Sequence, residues 1–249
     1  MIDVNCFIGA YPFRELPHPN PDVLVRVLER EGISGAWVGH LPTAFHRDVT
    51  AGNEALFAAL EPHRAILEPV PAIRPDWPRW ERSLAAAQAS GARAIRAYPP
   101  QWGMGPHDSR LAHLAGACGE LGMPLVLTTR FEDARQRSSL DVASDLSGAH
   151  IRAIVRASSR CNVVVTSAGR ALIEETHWGL TPEERTRLRW DISWIWGPPE
   201  DDLAHLLSTV GAQHFLFGSA WPLRLMQSPL ANLELLPRDA RQLTLADAP

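Results

Sequence analysis

The sequence predicts an α/β protein of the (β/α)8 barrel class, and three observations predict it. Short aliphatic or β-branched runs recur about every 30 residues, the length of one βα unit. The segments between them carry helix start and stop signals. The order helix, glycine, a few residues, strand occurs at Gly32, Gly91, Gly122 and Gly211, the αβ join of a parallel sheet. A chain of 249 residues is the length of one such barrel. No linker or second composition zone divides it, so one domain over 1–249 is expected. An open doubly wound sheet is the rival, but no G-x-G-x-x-G follows a strand.

Eight strands are expected at Ile2–Ile8, Gly35–Leu41, Ala65–Ile73, Ala92–Tyr98, Pro124–Arg130, Asn162–Ser167, Leu188–Ser193 and His214–Ser219. Within the first, plain alternation places Asp3, Asn5 and Phe7 on one face and turns Cys6 toward the helices. Asn20-Pro21 supplies an N-cap and an N1 proline, followed by the apolar stripe Val23, Leu24, Val27 and Leu28. Asp76 and Pro78 open a second helix. Asp108 opens another, with Leu111, Leu114, Ala115, Cys118 and Leu121 inward. Thr181-Pro182-Glu183-Glu184 reads as a capping box, and Ser228-Pro229 opens the last helix. The polar stretch 131–149 is expected to be loop with one helix around 141–146.

A hydrophobic fraction of 45% supports a sizeable core. The net charge of −4 argues against nucleic acid or an anionic membrane as partner. No apolar run reaches the roughly 20 residues of a membrane span, and no signal-peptide pattern opens the chain. Cys6, Cys118 and Cys161 lie far apart and form no C-x-x-C, which fits a reducing cytoplasm. All 24 basic residues are arginine. Without lysine, the chain can form no protein Schiff base and no carbamylated lysine bridge between metals.

Four motifs stand in order on the expected strands: Ile2-Asp3-Val4-Asn5-Cys6-Phe7-Ile8-Gly9, Arg93-Ala94-Ile95-Arg96-Ala97-Tyr98-Pro99-Pro100, Trp190-Asp191-Ile192-Ser193-Trp194 and Leu216-Phe217-Gly218-Ser219-Ala220-Trp221-Pro222. Their order resembles the amidohydrolase-related branch of the amidohydrolase superfamily, which includes decarboxylase-like and lactonase-like enzymes. The resemblance implies a distorted TIM barrel with its site at the C-terminal ends of the strands. It also implies metal ligands that this chain lacks. The strand-1 histidine pair is replaced by Asn5 and Phe7. The strand-5 histidine falls at Thr128, the strand-6 histidine at Ser167, and the strand-8 aspartate at Ala220. Neutral oxygens and a phenyl ring do not make a tetrahedral zinc site. No metal and no other cofactor is therefore expected.

The remaining candidates are strand-tip residues. Asp191 is the best carboxylate, a general base that would activate water or abstract a proton beside a carbonyl. Arg96 would stabilise an oxyanion or clamp a carboxylate, with Arg74, Arg130 and Tyr98 beside it. His177 and His40 are candidate proton carriers. Asn5, Phe7, Thr128 and Ser167 are expected to line the pocket. Trp102, Trp178, Trp194, Trp196 and Trp221 are read as βα-loop residues that wall an aromatic pocket or form a subunit interface. The first functional reading is a metal-independent hydrolase or proton-transfer enzyme acting on a small carboxylate or lactone. The second is a non-catalytic barrel that binds a ligand or pairs with an active partner, as a homo- or hetero-oligomer. The third is a metal enzyme with a relocated site drawn from His40, His177 and Asp191.

Overall fold

A computed structural model describes residues 1–237 and 245–249. Its strands are β1 (Ile2–Ile8), β2 (Gly35–His40), β3 (Leu67–Pro69), β4 (Ile95–Ala97), β5 (Leu125–Thr128), β6 (Val163–Thr166), β7 (Leu188–Asp191) and β8 (Phe215–Leu216). All pairings are parallel. Strands β1 to β3 form one panel and β4 to β8 another. Two seams join the panels into a closed ring. At one, Arg93 N and Arg96 N donate to Pro69 O and Pro71 O; at the other, Val4 N and Phe7 N donate to Phe217 O and Trp221 O. Each seam registers as a single bridge, Ala72 with Arg96 and Cys6 with Trp221. Proline explains the first seam: Pro69 and Pro71 have no N–H to donate. That also shortens β3 against its expected range.

The helices are α1 (Pro21–Arg30), α2 (Thr50–Leu60), α3 (Trp80–Ala89), α4 (Ser109–Glu120), α5 (Gly148–Ala157), α6 (Arg170–Trp178), α7 (Pro182–Arg185), α8 (Asp202–Leu206) and α9 (Gln227–Glu234). The Asn20 side chain accepts from Val23 N, and the Thr181–Glu184 capping box forms as expected. Gly32, Gly91, Gly122 and Gly211 all have positive φ, the backbone state those stops required. Two helix starts differ from expectation. The third helix begins at Trp80 because Asp76 is held by the Arg74 guanidinium. No helix forms at 141–146, where Arg130 and Arg137 both bind Asp145 and tie the loop into an irregular path.

Inside the ring, Val4, Trp37, Val70, Ala94, Val126, Val164 and Leu216 form one buried layer. The C-terminal segment closes the ring from below. Ala246 and Ala248 pack against this layer, and Ala246 N donates to Phe215 O. Among the described residues, no helix is long and apolar enough to cross a membrane.

Candidate functional site

Strand geometry fixes what lies above that layer. Residues two apart share a face, so Gly39, Arg96, Thr128, Thr166 and Gly218 point inward one step nearer the mouth. Asn5 joins them for a different reason. The register of β1 against β2 slips between Asp3 and Cys6, a bulge that lets the successive residues Val4 and Asn5 both turn inward. Plain alternation is thereby corrected: Asp3 does not share a face with Asn5. Its Oδ1 accepts from Ser219 N and Asn5 N, and the Cys6 thiol lies 3.9 Å from Ser219 Oγ.

The upper layer holds one continuous polar chain. Arg96 Nη1 donates to Asn5 Oδ1 at 3.1 Å and to Thr128 Oγ1 at 3.2 Å. Asn5 Nδ2 donates to Asp191 Oδ2 at 2.7 Å and to Ser167 Oγ at 3.3 Å. Asp191 also accepts from Ser193 Oγ and from Ser167 N, both at 2.8 Å. Ser167 reaches that position with a φ of 61°, a left-handed backbone that costs a serine about 1–2 kcal/mol. The amide of Asn5 thus links a buried guanidinium to a buried carboxylate. Burial pushes the Asp191 carboxyl up to about 6 against the lowering pull of its three donors.

Two glycines make room. A Cβ on Gly218 would lie 2.7 Å from Asp191 Cβ and Oδ2; one on Gly39 would meet Phe7 and Arg96 Nε. The Arg96 guanidinium also stands 4.5 Å from the Phe7 ring centre. Asn5, Phe7, Arg96 and Asp191 have no exposed surface. Above them sits an aromatic plug centred on Phe131, with Phe7, Tyr11, Phe45 and Tyr98 around it.

These positions do not fit the metal that the resemblance implies. The guanidinium bonds to Asn5 and Thr128, two of the places where ligands would stand, so a divalent cation would face a fixed positive charge. Among the described residues, no group of three or more His, Cys, Asp or Glu side chains is placed to hold a metal ion. The relocated site is not assembled either. His40 bonds Thr43 at the end of β2. His177 lies in the last turn of α6, against Trp178 and His214, and His214 reaches Leu188 at the start of β7. Asp191 ends that strand, so His177 and Asp191 occupy opposite ends of the barrel.

The structure therefore gathers Asn5, Phe7, Arg96, Thr128, Ser167 and Asp191, with Tyr98 just above in the plug. The other candidates stand apart. Arg74 is taken by Asp76 and Arg130 by Asp145. Trp102 is buried and donates to Ala44 O; Trp221 is buried after β8. Trp178 is not a βα-loop residue: it closes α6 at the lower end, exposed. Trp194 lines a separate cavity of about 230 Å³ at the rim, with Phe131, Trp196, Leu223 and Arg224. Arg224 was not singled out by sequence reasoning. Its signal was its place four residues past Ala220, in the loop that follows β8.

No family model and no curated relative matches the sequence. Solved structures do match. A 2,6-dihydroxybenzoate decarboxylase from Rhizobium shares 11% identity over 98% of this chain and 97% of its own, with a TM-score of 0.68. A probable 2-pyrone-4,6-dicarboxylic acid hydrolase from Acinetobacter baumannii, with citric acid bound, shares 10% over 98% and 95%, TM-score 0.67. An amidohydrolase from Burkholderia multivorans shares 14% over 98% and 95%, TM-score 0.65. At such identities the likeness is one of fold. The protein has the barrel fold seen in amidohydrolase-superfamily structures.

Proposed function

We propose that the protein is an amidohydrolase-like barrel that binds a small organic molecule at its mouth, with the Arg96–Asn5–Asp191 chain standing where the family's metal centre would be. Any chemistry it performs is then metal-independent. One observation carries this reading: a fully buried guanidinium is hydrogen-bonded to two of the positions that would otherwise ligate the ion. Elemental analysis of the purified protein tests it. Trace metal is the expected result; near-stoichiometric zinc or manganese would overturn it.

A second reading is favoured by Asp191. A carboxyl held near 6 suits a general base at neutral pH, and the similar structures include a decarboxylase and a probable hydrolase. On this reading the protein is a proton-transfer or hydrolytic enzyme acting on a small carboxylate or lactone. Turnover of a lactone and carboxylate panel should then be lost in Asp191→Asn with the fold unchanged. Turnover that survives the substitution removes Asp191 from the chemistry.

A further inference from the structure

The rim cavity holds charges of both signs, and most of them are already matched. Arg14 takes Glu132 at 2.5 Å, and Arg135 takes Asp133 at 2.8 Å. Arg224 is the exception. Its guanidinium makes no hydrogen bond or ion pair with any described side chain or carbonyl. It lies instead over Trp194, at 4.6 Å, and Trp196, at 5.3 Å. The residue is half-buried; burial pulls its pKa down, while the charges of Asp191 and Asp133 act on it through space in the other direction without bonding it. A second donor is also unmatched. Trp194 is only 7% exposed, and its indole N–H finds no acceptor. Buried indole N–H groups usually have one.

Two unmatched donors on residues lining one cavity define what is missing: an acceptor carrying negative charge. The walls define the rest. Trp194, Trp196, Phe131 and Leu223 line it, with Arg224 and Arg130 already stacked on the Trp194 ring. The volume, about 230 Å³, lies below the roughly 300–1,000 Å³ of sites for drug-sized ligands. We propose that this off-axis cavity, over the loops that follow β5, β7 and β8, binds a small planar organic anion. The Arg224 fork takes its carboxylate, the Trp194 Nε1–H supplies a third donor, and Phe131 and Leu223 flank its ring. The proposal rests on the ligand-binding reading above and moves the ligand away from the buried centre.

Titration calorimetry with benzoate, benzamide and acetate tests it, on the wild-type chain and on Arg224→Gln and Trp194→Phe. Benzoate should bind, and benzamide, which has the ring without the charge, should bind about 10- to 100-fold more weakly. Arg224→Gln should weaken benzoate by a similar factor. Trp194→Phe, which keeps a ring and loses the N–H, should cost less. Circular dichroism of each variant should match the wild type. Benzoate affinity unchanged in Arg224→Gln would overturn the assignment of the site, as would benzamide binding as tightly as benzoate. Absence of any benzoate binding would overturn the anion assignment. The wider ligand-binding reading would then be judged separately, by thermal shift with neutral lactones and esters.

Discussion

Two arginines in this barrel sit in opposite situations. Arg96 is wholly buried and bonded to Asn5, Thr128 and, more distantly, the carbonyl of Val4. Arg224 lies at the rim, part-exposed, with aromatic faces below it and no hydrogen-bond acceptor among the described residues. In the first, guanidinium, amide and carboxylate each bond to the next, although the Arg96 Nε–H has no partner. The second is open. The same side chain is thus a structural counter-charge in one place and an offer to a ligand in the other. What separates them is whether the neighbours satisfy it, not its position near a strand tip.

The comparison breaks most readily at the centre. Arg96→Met should destabilise the protein by about 3–5 kcal/mol, because it leaves the buried Asn5 and Thr128 oxygens without their donor and removes one of the positive charges that act on Asp191. Urea unfolding measures the loss. A loss below about 1 kcal/mol would mean that the buried chain is not electrostatically coupled. Gly218→Ala comes next, at about 1–3 kcal/mol, since its methyl would press on Asp191 Cβ and Oδ2 at 2.7 Å. An unchanged denaturation midpoint would show that the strand shifts freely.

A smaller effect concerns pH. His177 is pushed down to about 4 by burial, with Arg185 and His214 adding to it, and burial also lowers His40, His150 and His214. In the unfolded chain these rings titrate near 6.5. As pH falls through 6.5 the unfolded state takes up more protons, so their contribution to stability declines toward pH 4. Asp191 acts in the other direction. Its folded pKa of about 6 lies above the unfolded 3.8, so its contribution grows as pH falls across the same window and is lost as pH rises through 6. Asp3 and Asp141, also raised by burial, act with Asp191, while the lowered carboxylates Asp108, Asp133 and Glu184 act with the four histidines, so a net fall in melting temperature from pH 7 to pH 4 is expected. His177→Leu should make that fall shallower; an identical slope would remove His177 from the acid response. The smallest effect belongs to the rim. Arg224→Gln should change stability by no more than about 0.5 kcal/mol, although it weakens the anion. A large loss would make Arg224 structural after all and erase the contrast with Arg96.

The barrel was legible because its evidence is repeated along the chain. Four glycine stops and eight aliphatic runs each carry part of the message, and an error at one, such as Asp76 read as a helix start, leaves the others standing. The central residues were legible for a related reason. Thr128, Ser167 and Asp191 end or adjoin strands, Asn5 and Arg96 lie within them, and strand tips converge in this class. The bulge in β1 was not legible, since Val4-Asn5-Cys6 carries no local mark of an extra residue. The plug was not legible either. Tyr11, Phe45 and Phe131 come from three separate loops, and only the closed ring brings them together. Arg74 and Arg130 looked free on paper. In space each meets an aspartate, one of them two residues away and the other fifteen, and so leaves the site to others.

The two seams have a mechanical consequence. A cylinder stitched by continuous ladders except along two lines, where single bridges close it, is closer to a clamshell than to a pipe. If it breathes, it should part where Pro69 and Pro71 thin the stitching and where the bulged first strand meets the last. The amides of Arg93, Arg96, Val4 and Phe7 would then trade their hydrogens for deuterium sooner than those in the middle of the five-stranded panel. Two of these residues, Arg96 and Phe7, stack on each other in the buried centre, so a protein that opens this way would loosen its innermost charge first.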